Sequence, residues 1–181
     1  MSDQSNEDHQ GDAKTLSPLL PQDVEDAAAS LLEACCDAGL KVATAESCTG
    51  GLIASLLTDV EGASHAFDRG FVAYSEDAKS AMLGVRRDEI DRHGAVSEAV
   101  AKAMVRGALE YSGADIALAI TGYAGAAPRG EEDGLVHFAC MRRGGTPRHR
   151  AEHFGPVGRG PVRIGSLRIA LKMMRDAVDE H

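Results

Sequence analysis

Apolar residues recur along this chain at two spacings, one typical of helices and one typical of strands. Apolar positions three or four residues apart predict helices over about 21–39, 52–57, 75–84, 86–93, 97–111 and 160–178. Short continuous or alternating apolar runs predict strands over about 40–45, 66–74, 115–121, 135–141 and 148–154. Helices separate the first three strands, whereas a glycine-rich turn joins the last two. The pattern predicts a single α/β domain, three-layer-like, with a mixed, largely parallel sheet, an antiparallel hairpin and flanking helices.

Residues 1–18 show neither spacing. They are rich in Asp, Glu, Ser, Gln and Gly, which predicts a disordered N-terminal tail followed by one domain over 19–181. The start of the chain lacks the apolar stretch of a secretory signal. No run approaches the ~20 apolar residues that a membrane span requires. We therefore expect a soluble, cytoplasmic protein with no membrane partner.

The charge of the chain bears on its partners. Lys and Arg number 19 against 28 Asp and Glu, which gives a net charge of −9. Because such a surface repels a polyanion, we expect no nucleic-acid partner. The four cysteines and seven histidines show neither Cys-x-x-Cys nor His-Glu-x-x-His spacing. We predict no metal and no cofactor.

Polar residues cluster at the ends of three predicted strands. The clusters cover residues 47–51, 74–79 and 121–125. In open α/β sheets, ligands bind at the carboxyl ends of the strands, where loops and helix N-termini converge. The sequence therefore predicts a ligand site built from these three clusters.

Ser47 lies in the first cluster, at a predicted strand-to-helix turn beside Gly50 and Gly51. Backbone N–H groups of such a turn can hold an oxyanion or a phosphate. A serine hydroxyl needs a neighbouring base to become a good nucleophile, and the clusters contain Lys79 but no histidine. Two alternatives stay open from the residues alone: Ser47 is a helix cap, or Cys48 is the nucleophile.

Tyr74 and Lys79 flank the predicted start of a helix. If Ser75 is the N-cap, the two residues face each other across the first turn, so the hydroxyl and the amine can lie side by side. The alternative is an exposed lysine whose stem packs over the tyrosine ring.

Several stretches of the chain together resemble the CinA C-terminal domain family, also called the nicotinamide-nucleotide amidase or PncC family. The resemblance covers about residue 21 to the C-terminus. Its most specific parts are Thr-Ala-Glu-Ser-Cys-Thr-Gly-Gly at 44–51 and Arg-Gly-Phe-Val-Ala-Tyr-Ser at 69–75, followed by Lys79. Further matches are His-Gly-Ala-Val-Ser-Glu at 93–98 and Thr-Gly-Tyr-Ala-Gly at 121–125.

The resemblance implies hydrolysis of the carboxamide of nicotinamide mononucleotide to nicotinic acid mononucleotide and ammonia, without a metal. It implies Ser47 as nucleophile, Lys79 as base and Tyr74 as its partner. It implies a homo-oligomer that binds a small pyridine nucleotide. The expected substrate-binding residues are Thr49, Gly50, Gly51, Thr121, Gly122 and Arg159, with Arg163 as a further candidate for the phosphate.

The proposed chemistry makes an electrostatic demand. Lys79 acts as a base only when neutral, and a free lysine has a pKa of about 10.4. Burial would lower that pKa, whereas a nearby unpaired carboxylate would raise it. We therefore expect Glu46, Glu76 and Asp77 to point away from Lys79 or to pair elsewhere.

The chain departs from the family pattern in three places. Ala126 replaces a usual proline, and Asp133-Gly134-Leu135-Val136 replaces a stretch similar to Lys-Pro-Val-Gly. The aspartate that the family carries before the arginine of the last helix is absent. These differences lie in ligand-binding loops, so they support an alternative function: a catalytically silent nucleotide-binding or sensing paralogue.

Overall fold

The computed structural model describes residues 20–180, so the predicted tail over 1–18 lies outside the described residues. Five strands and six helices are present in the described part of the chain. The strands are β1 (Val42–Glu46), β2 (Phe67–Val72), β3 (Ile116–Gly122), β4 (Leu135–Arg142) and β5 (Arg148–His153). The helices are α1 (Gln22–Ala38), α2 (Leu52–Thr58), α3 (Glu76–Leu83), α4 (Arg87–His93), α5 (Glu98–Glu110) and α6 (Arg159–Val178).

The strands form one mixed sheet with the order β2-β1-β3-β4-β5. β1 pairs in parallel with both β2 and β3, whereas β3–β4 and β4–β5 are antiparallel. Helices α1, α2 and α6 pack on one face, and α3, α4 and α5 pack on the other. The predicted fold class is therefore confirmed, including the antiparallel hairpin.

The two faces of the sheet carry side chains of different size. The face toward α5 consists mainly of alanines, namely Ala43, Ala45, Ala117, Ala119 and Ala139. The face toward α1 and α6 carries larger side chains, among them Val42, Ile116, Leu118, Ile120 and Phe138. Every residue of β3 up to Thr121 is buried, as the continuous apolar run predicted.

Helix caps fix the segments that lead into the site. The side chain of Ser75 accepts from the Ala78 amide at the start of α3, and that of Ser97 accepts from the Val100 amide at the start of α5. Both predicted caps are confirmed. α1 begins after Pro21 and ends at Gly39 in the left-handed conformation.

The observed strands differ from the predicted ranges by one or two residues at most ends, and two of these differences lie next to the site. β1 extends to Glu46, since the Ser47 amide still donates to the Ile120 carbonyl of β3. β2 ends at Val72, so Tyr74 lies in the short loop before α3 rather than in the strand. No helix within residues 20–180 has the length and apolar content needed to cross a bilayer.

Candidate active site

Ser47 lies in the turn between β1 and α2, at the carboxyl end of the central strands. It is 7% exposed. The turn reverses direction through Gly50 and Gly51, whose φ angles are 63° and 88°. L-residues with side chains rarely adopt such angles, so this turn requires glycine at both positions. The serine is thereby held at the rim of the sheet.

Lys79 reaches Ser47 from the opposite side of the sheet. It lies in the first turn of α3, and its side chain is 2% exposed. Its Nζ is 3.0 Å from Ser47 Oγ and 3.1 Å from the Ala73 carbonyl oxygen. The hydroxyl and the amine are therefore within hydrogen-bond distance although they are 32 positions apart in the chain.

The surroundings of Lys79 favour its neutral form. Burial lowers the pKa of the Lys79 amine below its ordinary value, and this effect outweighs the opposing influence of Cys48 and Glu76. Glu76 and Asp77 both pair with Arg87. The expectation that these carboxylates pair elsewhere is confirmed.

Glu46 is the third carboxylate near the site, and it faces α2. It is 1% exposed, and its two oxygens accept hydrogen bonds from the amides of Gly51, Ile53 and Ala54. Its negative charge therefore lies at the positive end of α2. From the sequence, Glu46 was expected only to point away from Lys79 or to pair elsewhere, and it had no predicted part in the site.

The N–H groups of the turn are not all free to bind a ligand. Those of Gly50 and Gly51 donate to the Ser47 carbonyl and to Glu46, so the expectation that they bind substrate is not supported by their hydrogen bonds. Within residues 20–180, the N–H groups of Cys48 and Thr49 have no acceptor in another residue. Thr49 is fully buried, so the N–H group of Cys48 remains as the potential oxyanion donor.

Cys48 is the alternative nucleophile. It is 6% exposed, and burial raises the pKa of its thiol to about 11. The thiolate, which is the reactive form, is therefore scarce near neutral pH. The Ser47 hydroxyl, in contrast, lies against the lysine amine, so the geometry favours the serine.

Tyr74 and Arg159 meet across the mouth of the pocket. Tyr74 is 63% exposed, and its hydroxyl accepts from Arg159 Nη2 at 3.1 Å. Within the described chain, the hydrogen bonds of the Lys79 amine go to Ser47 and Ala73, not to Tyr74. The side-by-side arrangement of Tyr74 and Lys79 is therefore replaced by a contact between Tyr74 and the first residue of α6.

Thr121 and the loop before α5 form the wall facing Ser47. Thr121 is fully buried at the end of β3, and its hydroxyl donates to the Ala95 carbonyl at 2.7 Å. Because its proton is committed to Ala95, the oxygen offers only an acceptor to the pocket. Ala95 and its neighbour Val96 were not predicted as site residues, and the only signal was their position in the matched stretch at 93–98.

These residues enclose one cavity of about 280 Å³. Of the expected site residues, Ser47, Tyr74, Lys79, Thr121, Gly122 and Arg159 line it. Thr49, Gly50 and Gly51 do not, and Arg163 instead donates to the Thr49 carbonyl at 2.6 Å. Tyr123 also lines the cavity; it lies in the predicted 121–125 cluster but was given no role of its own. Within the described part of the chain, no cluster of three or more His, Cys, Asp or Glu is arranged to hold a metal.

Comparison with protein families gives one match to most of the chain. The model of the CinA C-terminal domain matches residues 24–178. Among curated proteins, a CinA-like protein of Mycolicibacterium vanbaalenii is 45% identical over 159 residues, which is 86% of this chain and 36% of that protein. A CinA-like protein of Akkermansia muciniphila is 55% identical over 111 residues, or 60% of this chain and 27% of that protein. The chain thus spans about a third or less of these relatives.

Solved structures of similar length match nearly end to end. The competence/damage inducible protein CihA of Agrobacterium tumefaciens superposes with a TM-score of 0.85 at 43% identity, covering 90% of this chain and 99% of that one. The competence damage-inducible protein A of Klebsiella pneumoniae gives 0.80 at 34% identity, covering 84% and 95%. The whole α/β domain therefore has counterparts in both proteins.

Proposed function

Because this chain belongs to the CinA C-terminal domain family, we propose that it is a serine–lysine amide hydrolase that releases ammonia from the carboxamide of nicotinamide mononucleotide. The observation that carries the proposal is the buried Lys79 amine, 3.0 Å from the Ser47 hydroxyl oxygen. A buried lysine without a carboxylate partner is costly when charged, so a neutral amine is favoured. A neutral amine beside a hydroxyl is the arrangement that general-base activation of a serine requires.

The reaction follows from these positions. Ser47 Oγ attacks the carboxamide carbon while its proton passes to Lys79 Nζ. The tetrahedral oxyanion is stabilised by the N–H group of Cys48, which lines the cavity. The Lys79 ammonium then returns the proton to the leaving nitrogen, the C–N bond breaks and ammonia departs. Water, deprotonated by the same amine, hydrolyses the Ser47 ester and releases the carboxylic acid.

Thr121 favours an amide over an acid. Its hydroxyl proton is donated to Ala95, so its oxygen accepts from the –NH₂ of a bound carboxamide. A carboxylate product has no N–H to donate and brings a negative charge toward the same oxygen. The contact therefore favours substrate binding and product release.

Arg159 is our candidate for the nucleotide phosphate. The protein is acidic overall, so a bound phosphate needs a local cation. Arg159 lines the cavity and is held by the Tyr74 hydroxyl. Arginine presents a planar fork of donors that matches phosphate oxygens. Tyr74 would then act on substrate binding, through Arg159, rather than on the basicity of Lys79.

Replacing Tyr74 with phenylalanine tests that assignment. The change removes the hydroxyl that accepts from Arg159 and keeps the ring. We expect KM for nicotinamide mononucleotide to rise by about 10-fold, the loss of one hydrogen bond to a charged group, with kcat nearly unchanged. KM for nicotinamide riboside, which lacks the phosphate, should not change. A fall in kcat for both substrates, with KM unchanged, would instead place Tyr74 in the proton transfer.

Ammonia release tests the function itself. Purified protein is incubated with nicotinamide mononucleotide, nicotinamide riboside and nicotinamide, and ammonia and the acid product are measured. The proposal expects stoichiometric ammonia and nicotinic acid mononucleotide from the nucleotide. Binding of the nucleotide without ammonia release would favour the sensing function that the altered 126–136 loop suggests.

A further inference from the structure

Glu46 directly precedes Ser47 and takes no part in the proton transfers described for the reaction. We propose that Glu46 is a positioning residue of the hydrolytic site: its carboxylate fixes the 47–51 turn so that the N–H group of Cys48 faces the reacting carbonyl. The inference rests on the proposed serine chemistry. The Glu46 side chain lies on the side of the turn that faces away from the substrate, and from there it holds the oxyanion donor in place.

The first support is the set of bonds that Glu46 makes. Oε2 accepts from the amides of Gly51 and Ile53, both at 3.1 Å, and Oε1 accepts from the amide of Ala54 at 2.8 Å. The Thr44 hydroxyl is 3.4 Å from Oε1. Each carboxylate oxygen therefore has at least one backbone donor. A carboxylate this buried is stable only when hydrogen-bonded in such a way.

The second support is that α2 has no other cap. The helix has seven residues, its N-cap Gly51 offers no side chain, and its first turn contains no acidic residue. Glu46 supplies both the missing acceptors and the negative charge from the preceding strand. The start of α2 and the turn before it therefore depend on one carboxylate.

The third support is the position of these bonds relative to the nucleophile. Glu46 precedes Ser47, and the Gly51 amide that it binds closes the other end of the turn. The Gly50 amide folds back onto the Ser47 carbonyl. Of the turn's remaining N–H groups, that of Cys48 belongs to a residue that lines the cavity, and it lies between these two anchored ends of the turn. Loss of the Glu46 carboxylate would free the end of the turn at Gly51.

Glutamine at position 46 is the sharpest substitution. Its –NH₂ group cannot accept, so at least one of the amides of Gly51, Ile53 and Ala54 must face a donor instead of an acceptor. Aspartate keeps the charge and both oxygens but is one methylene shorter. Asp68→Asn serves as a matched control. Its carboxylate accepts from the Gly113 amide at the other end of the sheet, far from the site.

The test is the rate at which a fluorophosphonate labels Ser47. In this reaction Ser47 Oγ bonds to phosphorus, fluoride leaves, and the hydroxyl proton passes to Lys79. The developing phosphoryl oxyanion needs the same N–H donor. The maximal labelling rate, the half-saturating probe concentration and the pH midpoint are measured for the wild type, Glu46→Gln, Glu46→Asp and Asp68→Asn.

We expect Glu46→Gln to lower the maximal labelling rate by about 10²-fold, which is the typical effect of losing one preorganised oxyanion donor. The half-saturating concentration and the pH midpoint should not change, because neither Lys79 nor the pocket wall is altered. Glu46→Asp should show a smaller loss and Asp68→Asn none. Reversible partial unfolding would lower the observed rate in proportion to the folded fraction, so that fraction is measured for each variant and the labelling rate is divided by it.

Labelling of Glu46→Gln at the wild-type rate would overturn the proposal. If that variant does not fold, Glu46→Asp decides, and a wild-type rate there overturns it equally. A wild type that labels but releases no ammonia, with slowed Glu46 variants, supports the role of Glu46 and contradicts the amidase function. A wild type that neither labels nor hydrolyses contradicts both.

Discussion

Substitution of Lys79 by methionine is expected to lower ammonia release by about 10²–10⁴-fold, the contribution of a positioned general base. Methionine has nearly the same length and fills the same buried space, but it accepts no proton. The Ser47 hydroxyl would lose its partner at 3.0 Å while the cavity keeps its walls. The rate is measured with the nucleotide at saturation, so the loss is read in kcat.

The same substitution is expected to raise thermal stability. Burial lowers the pKa of Lys79 in the folded protein. Between that value and the ordinary value of about 10.4, the unfolded chain binds more protons than the folded one, so wild-type stability rises with pH in this interval. Methionine removes this cost, so the variant should melt higher near neutral pH, and the difference should shrink as the pH approaches 10.4.

Lys172→Met is the matched control. This lysine is exposed on α6, where it pairs with Asp176. It should alter neither kcat nor the pH dependence of unfolding. Full activity in Lys79→Met would contradict the role of the amine, and a lower melting temperature would contradict the burial of a neutral lysine.

Substitution of Ser47 by alanine is expected to lower kcat by about 10³–10⁶-fold, which is the range seen when a serine hydrolase loses its nucleophile. Cys48→Ala should remain within a few fold of the wild type, because burial raises the pKa of that thiol to about 11 and keeps it protonated. Ammonia release and fluorophosphonate labelling are measured for both variants.

The double variant Ser47→Ala with Lys79→Met checks that the two residues act as one unit. If they do, its rate equals that of Ser47→Ala alone, since a base without a nucleophile contributes nothing. The opposite pattern, in which Cys48→Ala abolishes turnover and Ser47→Ala spares it, would transfer the chemistry to the thiol.

Much of the fold follows from local patterns. Ser75 and Ser97 cap the helices that they were predicted to cap, and the continuous apolar run of β3 is buried on both faces. These features depend on residues that are close together in the sequence, so one sequence is enough to predict them. The strand ends at Glu46 and Val72 differed because they depend on pairing with another strand, which local spacing does not encode.

The approach of Lys79 to Ser47 follows from the parallel arrangement of β1 and β2. Both residues come just after parallel neighbouring strands, so both lie at one edge of the sheet. The prediction of one rim site therefore rested on topology as much as on motif. The burial of the amine was required by the proposed chemistry, but spacing alone did not predict it.

Two contacts in the site were not predicted from the sequence. Tyr74 was paired with Lys79 from the geometry of a single helix turn, yet its hydroxyl accepts from Arg159, which is 85 positions away. Glu46 was read only as a charge to be kept away from the base, yet its carboxylate holds α2. Each contact joins two different elements: the loop before α3 with α6, and β1 with the start of α2. The spacing of apolar residues within one strand or helix does not indicate such contacts.

The ionisation of the Lys79 side chain is the most direct test of the account. In protein labelled with ¹⁵N-lysine, the Nζ resonance of Lys79 is assigned by its loss in Lys79→Met and followed across pH. A midpoint well below 10.4 that coincides with the pH midpoint of Ser47 labelling is the predicted result. An amine that titrates at or above about 10.4, or a labelling rate that is flat across that midpoint, would contradict the claim that an uncharged lysine activates the serine.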